Sequence, residues 1–207
     1  MNYRLAYRIG FHPWEDAEDH APFVDKFSEL LEREEEGREP PYGAALDLGT
    51  GSGIWAIHLA RRGWQVTGVD IVDKALERAE ERVREARVEV ALIKGDVTDL
   101  QAAKLGVGFR LVLDTGTFHG LKDPERKAMG RAVNAVTAPE ATLLLLAWPK
   151  RRRPLIRGVD RADIEAAFPE WEATDAGPSH FHVPKPLELL LRPDEHWYRL
   201  RRNGGAQ

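Results

Sequence analysis

The stretch Ala44-Ala45-Leu46-Asp47-Leu48-Gly49-Thr50-Gly51-Ser52-Gly53 is a short apolar run that stops at alternating glycines, after which Ile54, Ile57, Leu59 and Ala60 begin a helical pattern. It reads as strand, glycine turn, helix. Only glycine adopts positive φ cheaply, so glycines 49, 51 and 53 serve a tight turn and a close backbone approach to a ligand alike. Outward from this unit the alternation repeats. Gln65-Val66-Thr67-Gly68-Val69-Asp70 is a β-branched run ending in an acid, and Ala75, Ala79 and Val83 then recur at a spacing of four among Glu and Arg. Residues 88–93 predict a third strand before Gly95-Asp96, and Arg110-Leu111-Val112-Leu113-Asp114 a fourth before Thr115-Gly116. Pro124 opens a helix with Ala128, Ala132 and Val136 on its apolar face, and residues 141–148 form a wholly apolar run suited to a buried central strand.

Strands alternating with helices at this interval imply a parallel sheet with right-handed crossovers and helices on both faces. The expected fold is therefore α/β, a doubly wound and mostly parallel sheet. Past Pro149 the pattern predicts a helix over 161–168 and strands over 171–174 and 195–202, the two strands forming an antiparallel edge hairpin. Between them residues 177–193, with Pro178, Pro184, Pro186 and Pro193, predict an irregular loop. Upstream, Phe23, Phe27, Leu30 and Leu31 share one helical face, and a charged run ends at Pro40-Pro41. The division expected is a helical segment over 1–40 and one domain over 41–207.

A chain of 207 residues suffices for one sizeable core. Its 43% hydrophobic and 31% charged residues suit a water-soluble globular protein. No apolar run approaches the roughly 18 to 20 residues that cross a bilayer, so no membrane role is expected. The first residues carry Arg4 and Arg8 without an apolar core, which makes the cytoplasm the default address. Zero cysteines exclude disulfides, thiolate nucleophiles and cysteine-held metals. With 30 basic residues against 34 acidic ones, the net charge of -4 offers nucleic acid no overall attraction. Lys150-Arg151-Arg152-Arg153 is a local exception, read as a solvated turn or as a docking patch.

Spacing and charge decide which ligand the glycine turn suits. A dinucleotide fingerprint needs a Gly or Ala three residues past its second glycine, and that position here is Ile54. Asp47, two residues before Gly49, would repel a pyrophosphate and attract the ammonium of an amino-acid moiety. Asp70, at the end of the next strand, is placed for ribose hydroxyls. Taken singly, each acid also reads as a helix cap or a solvated turn.

Leu46-Asp47-Leu48-Gly49-Thr50-Gly51-Ser52-Gly53 resembles the first motif of the class I S-adenosylmethionine-dependent methyltransferases, and the resemblance runs over 41–148. It implies S-adenosylmethionine as cofactor, held by Asp47, Gly49, Thr50, Gly51 and Gly53 with Asp70 and Ile71. It further implies that Asp96 takes the adenine amine, with the Val97 backbone beside the ring. Asp114-Thr115-Gly116-Thr117-Phe118-His119-Gly120 then faces the methyl acceptor. His119 is expected as general base, because an unperturbed imidazole titrates near ~6.5, and Asp114 as its orienting partner. The bland alternatives are a backbone-satisfied loop histidine and a loop-capping carboxylate. Phe118-His119 is similar to the small-molecule branch that includes the thiopurine, tellurite-resistance and heterocyclic-toxin methyltransferases. That branch has an amino-terminal run folding over the cofactor, to which Pro13-Trp14-Glu15 corresponds, so residues 1–40 are expected as a lid with Trp14 on the cofactor or, alternatively, as a hydrophobic anchor. His180 and His182 make a metal pair without an evident third ligand, and a surface loop is the plainer reading.

The expected partner is a small-molecule methyl acceptor with an O, S or N nucleophile. An RNA or protein methyltransferase and a non-catalytic S-adenosylmethionine-binding module are the alternatives. No Asn-Pro-Pro-Tyr type motif follows the fourth strand, and the glycine loop and ribose acid are both intact. Oligomeric state and acceptor identity are not legible in the sequence.

Overall fold

The computed structural model describes residues 18–150, 157–180 and 194–204. Seven strands make one sheet: β1 (Ala44–Leu48), β2 (Gln65–Asp70), β3 (Val90–Lys94), β4 (Phe109–Asp114), β5 (Thr137–Ala147), β6 (Trp171–Pro178) and β7 (His196–Arg202). The helices are α1 (Ala21–Glu35), α2 (Ile54–Arg62), α3 (Asp73–Ala86), α4 (Ala102–Leu105), α5 (Asp123–Val136) and α6 (Arg161–Ala167), with a 3-10 turn at Phe118–Gly120. Strand order is β3-β2-β1-β4-β5-β7-β6. The first five strands pair in parallel, and β7 runs antiparallel to both β5 and β6. The doubly wound sheet with an antiparallel hairpin is thus the observed architecture.

Alternation along the strands separates two cores. On one face Phe23, Phe27, Leu30 and Leu31 of α1 pack with Trp55, Leu59, Leu144, Leu146 and Trp197. The Phe27 and Trp197 rings stack with centroids 5.7 Å apart. On the other face Met129, Val133 and Val136 of α5 meet Leu143, Leu145, Ile164 and Phe168. Burying side chains of this size stabilises the fold by about 1.5–3 kcal/mol each. Two acids tie α1 down further: half-buried Glu34 accepts from Arg199 and Thr142, and buried Glu35 from Arg62 and the Trp64 indole.

Two elements depart from expectation. Strand β5 starts at Thr137, because α5 runs directly into it and the Thr137 hydroxyl donates to the Val133 carbonyl at 3.0 Å. Strand β6 continues through Gly177 and Pro178, which were expected in a loop. A register shift between Asp175 and Gly177 absorbs the irregularity, and an edge strand tolerates a residue without an N–H. The rest of that loop, from 181 to 193, lies outside the described residues.

Candidate active site

The carboxyl ends of β1, β2 and β4 meet where strand order reverses, the crevice in which open α/β sheets take ligands. Leu48 sits between Val69 on one side and Asp114 on the other. From there the glycine loop folds back: the amides of Gly49 and Thr50 both donate to the Val69 carbonyl, at 2.8 and 2.9 Å. Gly49, Gly51 and Gly53 all have positive φ, at 68°, 56° and 79°. Gly49 also faces a neighbour, since a Cβ there would fall 2.0 Å from Oγ1 of Thr117. That hydroxyl donates to the Leu48 carbonyl, so the glycine loop and the turn after β4 are wedged together.

Three carboxylates are buried here, Asp47, Asp70 and Asp114. Asp47 Oδ2 accepts from the Thr50 hydroxyl at 2.6 Å. Its Oδ1 is buried with no hydrogen-bond partner among the described residues, and the Ala56 amide lowers the pKa only weakly. Burial, with Asp114 and Asp70 adding repulsion, pushes the Asp47 pKa up to about 7 against the help of Thr50. Asp70 accepts from the Gly51 amide at 2.9 Å and the Val72 amide at 2.8 Å, and burial raises its pKa too. Asp114 is wrapped by the amides of Gly116, Thr117 and Phe118, at 2.8, 2.7 and 3.0 Å. Burial nevertheless lifts it to about 6. Among the described residues none of these three acids pairs with a cationic side chain. A buried carboxylate left without a cation is costly, and the raised pKa values of all three acids reflect that cost.

Asp47, Gly49, Thr50, Gly51, Gly53 and Asp70 lie together at the ends of β1 and β2, with internal bonds that spacing alone does not reveal. Gly51 and Asp70 bind each other, and Thr50 spends its hydroxyl on Asp47 and packs against Gly68. Ile71 is one of two strongly exposed large apolar side chains among the described residues, at 42%. Asp96 is exposed, and its Oδ1 accepts from the Thr98 amide and hydroxyl, a turn-forming role, while the Val97 side chain is buried. Trp14 lies outside the described residues, as do Arg151, Arg152, Arg153 and His182.

On the acceptor side the expected pairing of Asp114 with His119 is not made. The carboxylate is consumed by three amides, while Nδ1 of His119 is buried without a partner. Burial first, and then the Arg126 guanidinium, push the imidazole down to about 4, against a weak opposing pull from the Leu146 backbone. The ring is neutral at pH 7. Its centroid lies 6.4 Å from that of Trp148, in an edge-on arrangement.

Sequence reasoning missed Ser52, whose Oγ is buried without a hydrogen-bond partner among the described residues, and Thr117 and Arg126. Arg126 left one signal, a cation in the first turn of a helix, where the macrodipole disfavours it. Among the described residues no cluster of three acids or histidines could hold a metal ion, and no helix is long and apolar enough to cross a membrane.

The chain is an open α/β sheet with a glycine turn and three buried acids at its switch point. Residues 45–140 match the family model of a methyltransferase domain, in line with the first motif's resemblance to the class I S-adenosylmethionine-dependent methyltransferases. The chain is 29% identical to EEF1A lysine methyltransferase 2 of Danio rerio over 123 residues, 53% of this chain and 50% of that protein. It thus spans half the length of that relative. Among solved structures it resembles the 1,6-didemethyltoxoflavin-N1-methyltransferase of Burkholderia thailandensis, with TM-score 0.69 and 16% identity over 98% of this chain and 86% of that one. The N-methyltransferase NodS of Bradyrhizobium japonicum gives TM-score 0.69 and 16% identity over 92% and 91%.

Proposed function

We propose that this chain transfers the methyl group of S-adenosylmethionine to an oxygen, sulfur or nitrogen of a small molecule. The observation that carries the reading is the set of three buried acids without a cation, with Asp47 Oδ1 left open. Asp47 and Ser52 would hold the cofactor's ammonium and Asp70 its ribose hydroxyls, and Ile71, Asp96 and the Val97 backbone would border its base. Gly49, Thr50, Gly51 and Gly53 shape the turn beneath, and Trp14 is assigned to the cover. When bound, the cofactor supplies an electrophilic methyl on a sulfonium. The chain's own task is to align an acceptor and exclude water.

Asp114 holds the acceptor turn, and His119 presents a neutral Nδ1. A base with a pKa of about 4 is weak, yet the proton on a nucleophile becomes strongly acidic as its bond to the methyl forms, and His119 takes it then. A small acceptor is favoured by likeness to the two bacterial structures, whose folds this chain covers almost whole. The cytoplasmic address expected from the sequence belongs to the same proposal.

Calorimetry with S-adenosylhomocysteine tests it. Binding should weaken by about tenfold or more in Asp70→Ala and stay within about twofold in His119→Ala, whose turnover falls. No binding to the native chain would overturn the reading. A protein lysine acceptor is the second reading, favoured by the zebrafish relative. Labelled methyl appearing on protein, and on none of a panel of phenols, thiols and heterocycles, would select it.

A further inference from the structure

We propose that Arg126 is the positioning residue of the acceptor wall: its guanidinium joins the turn that carries His119 to the segment that follows β5, and so fixes where the free imidazole nitrogen points. The methyl-transfer reading supplies only the identity of this wall as the acceptor side.

Arg126 is 3% exposed, and three backbone carbonyls converge on it. Its Nε donates to Phe118 at 3.3 Å, and its Nη2 to His119 at 3.2 Å and Gly158 at 2.8 Å. The guanidinium also lies over the Phe118 ring, 5.4 Å from the centroid. Gly158 belongs to a segment pressed against the exit of β5. The Val159 amide donates to the Trp148 carbonyl, the Lys150 amide to the Val159 carbonyl, and a Cβ on Gly158 would fall 2.4 Å from the Pro149 oxygen. Asp163 of α6 stands 3.5 Å from Arg126 and also binds Lys150, which reaches Asp160 as well.

One planar cation thus ties the loops after β4 and β5 and the start of α6 into a single wall, a task for a rigid fork of donors. Towards His119 this wall presents the Arg126 charge from α5 and the Leu146 backbone from β5. Asp123, Asp160 and Asp163 attract Arg126, and Arg157 repels it. Nδ1 of His119 is buried without a hydrogen-bond partner among the described residues, so the direction of the ring follows from the backbone that Arg126 holds at Phe118 and His119.

The test compares the full native chain with Arg126→Met and Arg126→Lys by nitrogen-detected histidine NMR, amide exchange and S-adenosylhomocysteine calorimetry. In the native chain the His119 signal should show one neutral tautomer from pH 5.5 to 8. Removing the cation in Arg126→Met should raise its midpoint by about one unit or more. Arg126→Lys keeps the charge without the fork, so the midpoint stays low while amides of residues 116–119 exchange about tenfold faster or more. Cofactor-product affinity should stay within about twofold in both variants. If Arg126→Met does not fold, the Lys variant decides through exchange at the 116–119 amides. A native His119 that titrates near 6.5, or exchange in Arg126→Lys equal to native, overturns the proposal. If no form binds S-adenosylhomocysteine, the cofactor reading fails instead, and the NMR comparison still judges Arg126.

Discussion

Asp47 takes up a proton when the chain folds. Its carboxyl moves from the ordinary 3.8 to about 7, and that of Asp114 to about 6. Because the folded pKa values lie above the unfolded ones, their contribution to stability is full below about pH 4 and is lost as pH rises through 6 and 7. Thermal unfolding of the ligand-free chain should therefore show Tm falling between pH 5 and 8, and Asp47→Asn should flatten that fall. A cationic ligand binds the ionised form of Asp47, so affinity for S-adenosylhomocysteine should rise with pH, by up to about tenfold per unit below the pKa, with proton release on binding. Calorimetry in two buffers of different ionisation heat reads both, and affinity constant from pH 5.5 to 8 would contradict the role given to Asp47. The acids at the strand ends were legible because a strand's last residues and the glycine spacing locate them without any tertiary contact. The bond between Gly51 and Asp70, and the wrapping of Asp114 by three amides, were not: 19 residues separate the first pair, and amide direction depends on loop dihedrals.

At the scale of elements, glycines report how closely backbones approach. A Cβ on Gly130 would lie 1.9 Å from the Ala167 carbonyl oxygen, so α5 and α6 touch backbone to backbone. Gly130→Ala should lower stability by about 2–4 kcal/mol, read from urea unfolding, with no change of site chemistry. Gly49→Ala differs, because it strains a residue at φ 68° and drives a methyl into Thr117. It should abolish binding of S-adenosylhomocysteine, and native-like affinity in that variant would show that the loop can yield. Period and punctuation made the parallel strands and α1 readable, since Phe23, Phe27, Leu30 and Leu31 fall on one face. The extension of β6 to Pro178 was not readable, because a bulge breaks the period of two and proline looks like a terminator.

For the molecule as a whole, α1 belongs to the core on one face of the sheet. Phe27 is fully buried between Trp55 and Trp197, and Glu34 is bound by Arg199. Phe27→Ala should cost about 3–5 kcal/mol in a single cooperative transition. A separate early melting of α1, followed by hydrogen exchange, would instead mark it as a detachable segment. The strand order has its own consequence for synthesis. Strand β5 carries Leu143, Leu144, Leu145 and Leu146, and one of its two edges is paired only by β7, some fifty residues later. Until residues 196–202 leave the ribosome, that leucine edge is an open template for another chain, which makes the nascent protein a natural client for chaperones that shield strand edges.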